Sequence, residues 1–385
     1  MSIVESDQDE IRQIESGQVP TRYARGWHCL GLSDKYKDGK PHTVNAFGQK
    51  LVIFTGSDGK INVLDAYCRH LGGDLSKGTV KGNEIACPFH DWRWGGDGRC
   101  KAVPYSRRVP MRARTSTWQT LDQDGLLFVW NDPEGNPPPE GVVIPRIEGA
   151  EDEGWTKWVW NEIVVNTSTR EVIDNVVDMA HFFYIHNNFP TYFKNVFEGH
   201  IATQYFDGIG REDVTPANPD PSAPKMLKTS SVASYYGPSF MVDDLIYTYE
   251  TFDMKTVLIN AHYPIDENSF VLMSGIIVEK KPELPGDPDE IARTQAQWIL
   301  GGFNQDVEIW QNKARIDNPL LCEEDGAVYQ LRRWYEQFFV DVADVKPEMT
   351  DRFEHELDTS RPVESWQKEV AGNLALRKAA EGQLI

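Results

Sequence analysis

The chain has 385 residues, 59 acidic against 39 basic, for a formal net charge of −20. That length exceeds one typical core and predicts two domains, and the charge argues against a nucleic-acid or anionic-membrane partner, whose surfaces reward clustered Lys and Arg. The sequence contains no apolar run long enough to span a bilayer, and its start, MSIVESDQDEIRQIESGQ, is acidic and polar where a secretion signal is basic and then apolar, so a cytoplasmic protein without membrane insertion is expected.

Residues 1–20 form this acidic segment. From Thr43 to about Trp130, short apolar runs alternate with turn signals. LVIFTGSDGKINVLDAY reads as a hairpin turning at Ser57-Asp58-Gly59, and WRWGGDGRCKAV as another turning between Gly95 and Gly98. An all-β module over 21–150 follows, with the Pro- and Gly-rich NDPEGNPPPEGVVIP at 131–145 as the candidate domain crossing. In the remainder, 151–385, STREVIDNVVDMAHFFYIH has helical spacing, residues 239–278 give several strand-like runs, and DEIARTQAQWILGGFNQDVEIWQNKARI and SWQKEVAGNLALRKAAEG return to helical periods. The second half is therefore α+β.

Five cysteines, Cys29, Cys68, Cys87, Cys100 and Cys322, are odd in number and scattered, unlike a secreted disulfide framework. Cys68 and Cys87 belong to a pattern: Cys-x-His (Cys68, His70), sixteen residues, then Cys-x2-His (Cys87, His90). Gly72, Gly73 and Pro88 beside them favour tight loops. Structural zinc sites usually group like ligands, whereas here each loop offers one thiol and one imidazole. That mixture suits a [2Fe-2S] centre with thiolates on one iron and histidines on the other. Cys29 and Cys100 lie outside the pattern and read as small buried hydrophobes.

In the second half, EVIDNVVDMAHFFYIHNN carries Asp174, Asn175, Asp178, His181 and His186. On a helix, Asp178 and His181 are neighbours, but His181 and His186 diverge by about 140° unless the helix ends or bulges between them. An irregularity is predicted there. Two histidines and one carboxylate make the facial triad of non-haem Fe(II). The candidate acids are Asp174, Asp178 and the remote Asp306 in GGFNQDVEIWQNK, and spacing alone does not choose among them. Glu308, two residues on, faces elsewhere on a helix.

CRHLGGDLSKG with CPFHDWRW resembles the Rieske domain of ring-hydroxylating oxygenases, and the run from Asn175 to His186 followed by Gln305-Asp306 is similar to their catalytic domain. The resemblance implies an N-terminal Rieske domain, then a helix-grip-like α+β domain with an antiparallel sheet. It implies that His181, His186 and Asp306 bind Fe2+. It also implies that Asp178 links this site to His70 or His90 of a neighbouring subunit in a homotrimer, and that Asn175 lies near the iron. Within that family the chain is most similar, through EVIDNVVDMAHFFYIHNNFP and KNVFEGHIATQYF, to enzymes that hydroxylate 3-ketosteroids at C9 in steroid and cholesterol catabolism. No G-x-G-x-x-G follows a predicted strand. Electrons are thus expected from a separate flavin and iron-sulfur reductase that oxidises NADH, with O2 as co-substrate.

A steroid needs a long apolar cavity with few polar anchors. Gln204, Tyr236, Met241, Asn260, Phe303 and Trp310 are the candidate lining, with Gln204 or Asn260 donating to a ketone. His200 and His262 read as structural. The rival readings are a Rieske oxygenase for an aromatic acid or a quaternary amine, and a Rieske electron carrier or redox sensor.

Overall fold

The computed structural model describes residues 22–214 and 225–382. The acidic segment 1–20 lies outside the described residues. Three small antiparallel sheets build the N-terminal half. Gly26–Leu32, Leu126–Asn131 and Thr120–Gln123 form one; His42–Ala46, Gln49–Thr55, Ile61–Asp65 and Thr117–Trp118 a second; Thr79–Lys81, Glu84–Ala86, Arg93–Gly95 and Cys100–Ala102 a third. Both expected hairpins form. In the first, Gly59 sits at φ +79°, a left-handed conformation that glycine adopts without steric cost.

The segment 131–145 has no strand or helix beyond its first residue, yet it is strapped down. Trp130 Nε1 donates to the Asn136 carbonyl at 2.9 Å, Trp27 Nε1 to that of Val142 at 3.1 Å, and Gln123 Nε2 to that of Pro145 at 2.9 Å.

The second half is one eight-stranded antiparallel sheet. Its spatial order is Val159–Val165, Phe270–Val278, Asp253–Pro264, Phe240–Tyr249, Met226–Tyr236, Ile201–Gly210, Asn188–Glu198, Phe353–Glu356. Side chains alternate between its faces. Val242, Val257, Ile259 and Ala261 pack behind it in one core with Trp27, Cys29, Leu127 and Val129, so the N-terminal half closes the back of the sheet. Burial pushes the Cys29 thiol there up to about 12. It is a packing group, not a nucleophile.

Leu245, Tyr247, Leu258 and Leu272 face forward, against the helix Pro288–Asn312. Asp287 caps that helix by accepting from Asp289 N at 3.0 Å, and Pro288 occupies its first turn. Its buried residues Ala292, Ala296, Ile299, Phe303, Val307 and Trp310 recur every three or four positions. Asp306 falls on the same buried stripe.

Within the run 168–186, whose spacing is helical, the structure has three short pieces: an α-turn Arg170–Ile173, a 3-10 turn Asp174–Val176 and a helix Ala180–Tyr184. Neighbouring side chains break it. Gln204 Nε2 donates to the carbonyls of Asn175 and Val176 at 3.2 and 2.9 Å, and Asn195 Nδ2 donates to that of Val176 at 2.7 Å. Carbonyls that a helical ladder would use are thereby held by strands.

Candidate metal centres

The two Cys/His loops project from the third small sheet and its neighbour. In the first, Cys68 N donates to the Gly73 carbonyl at 2.8 Å and Gly72 N to that of Cys68 at 2.9 Å. In the second, Cys87 N donates to the Trp92 carbonyl at 2.9 Å and Asp91 N to that of Cys87 at 2.9 Å. Both thiols are buried, whereas His70 and His90 are partly exposed with ring centroids 4.7 Å apart. His70 stacks on Trp92 at 4.5 Å, which fixes its ring plane.

Burial raises the Cys68 thiol above its ordinary value, while Trp94 Nε1 donates to its sulfur at 3.3 Å and favours the thiolate. His90 Nδ1 is buried with no hydrogen-bond partner among the described residues. An iron ligated there would satisfy this nitrogen, and the chemistry of two thiols opposite two imidazoles fits a [2Fe-2S] cluster. A single zinc needs all four ligand atoms around one point. Among the described residues, no three of these four converge within 4.8 Å, so the mixed set does not suit one ion.

The loops meet tightly. A Cβ on Gly73 would lie 2.7 Å from Cys87 Sγ and 3.2 Å from Phe89 Cβ, the first of them a candidate cluster-ligand atom with little freedom to move. Gly73→Ala is therefore expected to retain its fold by circular dichroism but to purify with a lower ratio of visible to protein absorbance. A wild-type ratio would show that the loops have room to separate.

The second centre lies at the front of the large sheet. The helix Ala180–Tyr184 ends between the two histidines: Ile185 N and His186 N both donate to the His181 carbonyl, at 2.7 and 3.4 Å, and Asn187 takes φ +56°. This widened last turn swings His186 back toward His181, with ring centroids 5.1 Å apart. Asp306 completes the group: ligating atoms of His181, His186 and Asp306 lie within 4.8 Å of one another, the only such set of three among the described residues. His186 Nε2 is 3.2 Å from Asp306 Oδ2.

Three further contacts prepare these side chains. His181 Nδ1 donates to the Asp178 backbone carbonyl, which places the ring's lone pair on Nε2. Burial holds His181 below its ordinary value, so it stays a neutral, ligand-competent imidazole. Trp310 Nε1 donates to Asn175 Oδ1 at 3.3 Å and Asn175 Nδ2 to Asp306 Oδ1 at 3.4 Å, a relay that orients the carboxylate. Asp174 is engaged elsewhere, with Arg332 Nε and Nη2 at 3.0 and 2.7 Å. Asp178 Oδ1 accepts from His181 N at 3.1 Å, and its side chain is half exposed.

From this centre a cavity of about 540 Å3 runs between the long helix and the sheet. Asn175, Gln204, Met241, Asn260, Phe303 and Trp310 line it. Two candidate roles need correction. Tyr236 is not among the lining residues; Tyr235 is, because strand alternation turns the neighbouring side chain inward. Gln204 has its amide protons committed to the carbonyls of Asn175 and Val176, so it braces the turn beside the iron ligands and does not donate to a ketone. Sequence reasoning missed Asp243, buried in the cavity wall, whose signal was an acid alternating with apolar residues on a strand. His262 is buried, edge-on to Phe270.

The description "Rieske [2Fe-2S] domain" matches residues 26–113, and "3-Ketosteroid 9alpha-hydroxylase C-terminal domain" matches 129–339. A 3-ketosteroid-9-alpha-monooxygenase oxygenase component of Rhodococcus rhodochrous is 64% identical over 382 residues, covering 99% of this chain and 96% of its own. One from Mycobacterium tuberculosis is 58% identical over 373 residues, covering 96% of each. Among solved structures, NdmA of Pseudomonas putida CBB5 with theobromine aligns at a TM-score of 0.65 and 17% identity, over 86% of this chain and 96% of that one. Dicamba monooxygenase with non-heme iron and dicamba aligns at 0.60 and 17%, over 83% and 98%. These two share the fold. With more than half its length matched by the catalytic-domain family and full-length relatives well above half identical, the chain belongs to the 3-ketosteroid 9α-hydroxylase oxygenase components of the Rieske oxygenases.

Proposed function

We propose that this chain is the terminal oxygenase of a multicomponent monooxygenase that hydroxylates a 3-ketosteroid at C9. The observation that carries the reading is the pairing, in one chain, of a Cys2His2 loop site with a two-histidine, one-carboxylate site that opens into an apolar cavity of about 540 Å3. Cys68, His70, Cys87 and His90 would hold the cluster; His181, His186 and Asp306 would hold Fe2+. When bound, these groups supply one-electron transfer and reductive activation of O2.

The chain's own residues do the rest. Phe303, Trp310 and Met241 exclude water and position the ring system, and Asn260, whose Oδ1 is buried without a partner among the described residues, faces the ligand. Residues 21–150 then form the redox domain and 151–385 the catalytic domain, behind the acidic segment 1–20. Electrons come from NADH through a separate flavin and iron-sulfur reductase. In a homotrimer in the cytoplasm, Asp178 would bridge His181 to His70 or His90 of the next subunit, which its exposure beside a ligand histidine supports. No helix among the described residues is long and apolar enough to cross a membrane.

An aromatic-acid substrate would want a cationic partner, and no Lys or Arg among the described residues lines the cavity. An electron carrier would leave the second centre without a purpose. Reduced protein mixed anaerobically with a panel of 3-ketosteroids and then exposed to O2 should yield 9α-hydroxylated product. Oxidation at another carbon, or of none of the panel, would overturn the reading.

A further inference from the structure

Among the described residues, the cavity wall contains one acid outside the metal site. On the strand Phe240–Tyr249, Met241, Asp243, Leu245 and Tyr247 all face the cavity, and across the sheet Gln204, Ala233, Asp243 and Leu258 stand in register. Asp243 is thus two strands from Gln204, about 10 Å from the strand that braces the iron ligands. It is 8% exposed, and Ser231 Oγ lies 2.6 Å from its Oδ1. Oδ2 has no partner among the described residues. A carboxyl kept among Leu245, Leu258 and Tyr247 without a cation is costly unless it is neutral or finds a ligand.

We propose that Asp243, held by Ser231, is a proton-donating anchor that takes a ketone oxygen of the bound steroid and so sets which substrates the cavity accepts. The proposal rests on the steroid reading above. Ser231 Oγ–H donates to Oδ1, which leaves the acid proton on Oδ2, toward the cavity. A neutral ketone oxygen accepts a hydrogen bond from that O–H. A substrate carrying a carboxylate at this place is disfavoured, because two acids would face each other in an apolar wall.

Burial in the wall pushes the Asp243 carboxyl up to about 7, against the hydrogen bond from Ser231. Few other titratable groups bear on it. Asp244, on the opposite face of its own strand, adds to the rise; Tyr247 and Tyr235 face the cavity and stay neutral because burial raises both. The strand Asp253–Pro264 presents only Leu258 and Asn260 to the cavity; Asp306 on the long helix and the two ligand histidines line the iron end. The protonated form is the binding form, so affinity is full below pH 7 and falls as pH rises through it.

Binding of androstenedione to the oxidised holoenzyme, followed by tryptophan quenching, tests this without turnover. Wild-type Kd is expected to rise roughly tenfold from pH 6 to pH 8. Asp243→Asn keeps a donor but cannot titrate, so its Kd should be flat with pH and close to the acid-side wild-type value. Asp243→Leu should also be flat but roughly tenfold weaker at pH 6. Binding that ignores pH and both substitutions would overturn the anchor alone. Failure of all three proteins to bind androstenedione at any pH would overturn the steroid reading and the anchor with it.

Discussion

His181→Ala is expected to abolish hydroxylation while the visible absorption of the [2Fe-2S] cluster keeps its wild-type amplitude. The two ligand sets lie on different domains, the first on loops of the N-terminal sheets and the second between a broken helix and the long helix. Losing His181 removes one of three convergent ligand atoms and leaves His186 and Asp306 facing each other at 3.2 Å. The loss should exceed the about 10–100-fold usual when only an outer partner of a ligand is removed. Iron analysis should fall from three per chain, two in the cluster and one at the triad, to two. Wild-type product formation by the mutant would show that the triad is misassigned.

Asp178→Asn should separate the metals from their communication. His181 is oriented by the backbone carbonyl of residue 178, which asparagine retains. Both metal contents and steroid affinity are therefore expected to match the wild type. What changes is the half-exposed carboxylate, the group that would reach a histidine of the next subunit in the proposed trimer. Reoxidation of the pre-reduced cluster by O2 in the presence of steroid, followed by stopped-flow absorbance, should slow by about 10–100-fold. An unchanged rate would remove Asp178 from the bridging role.

Much of this architecture was legible in the sequence, for reasons that differ from element to element. The hairpins were legible because Asp-Gly and Gly-Gly turns announce themselves locally. The widened turn between His181 and His186 was legible because an i,i+5 pair cannot share one helix face. The phase of the strand at Tyr235-Tyr236 was not, since two adjacent tyrosines present the same residue type to either face. The commitment of Gln204 was hidden too, because its acceptors lie 28 and 29 residues away and appear only once the helical run breaks. Asp306 offered a usable signal in retrospect: it is an acid on the apolar stripe of Phe303, Val307 and Trp310, where only a function repays its burial.

The pleat of the Phe240–Tyr249 strand has a consequence for how such an enzyme changes its diet over generations. Met241 and Asp243 touch the ligand side, while Val242 between them is cemented to the redox half behind. Drift in substrate preference is open to substitution at alternate positions, one residue at a time, with the rear packing untouched. A single inserted residue would exchange the two faces, sending Asp243 into the apolar core and Val242 into the substrate chamber. Lineages of this fold should therefore diversify here by replacing letters and almost never by adding or deleting them.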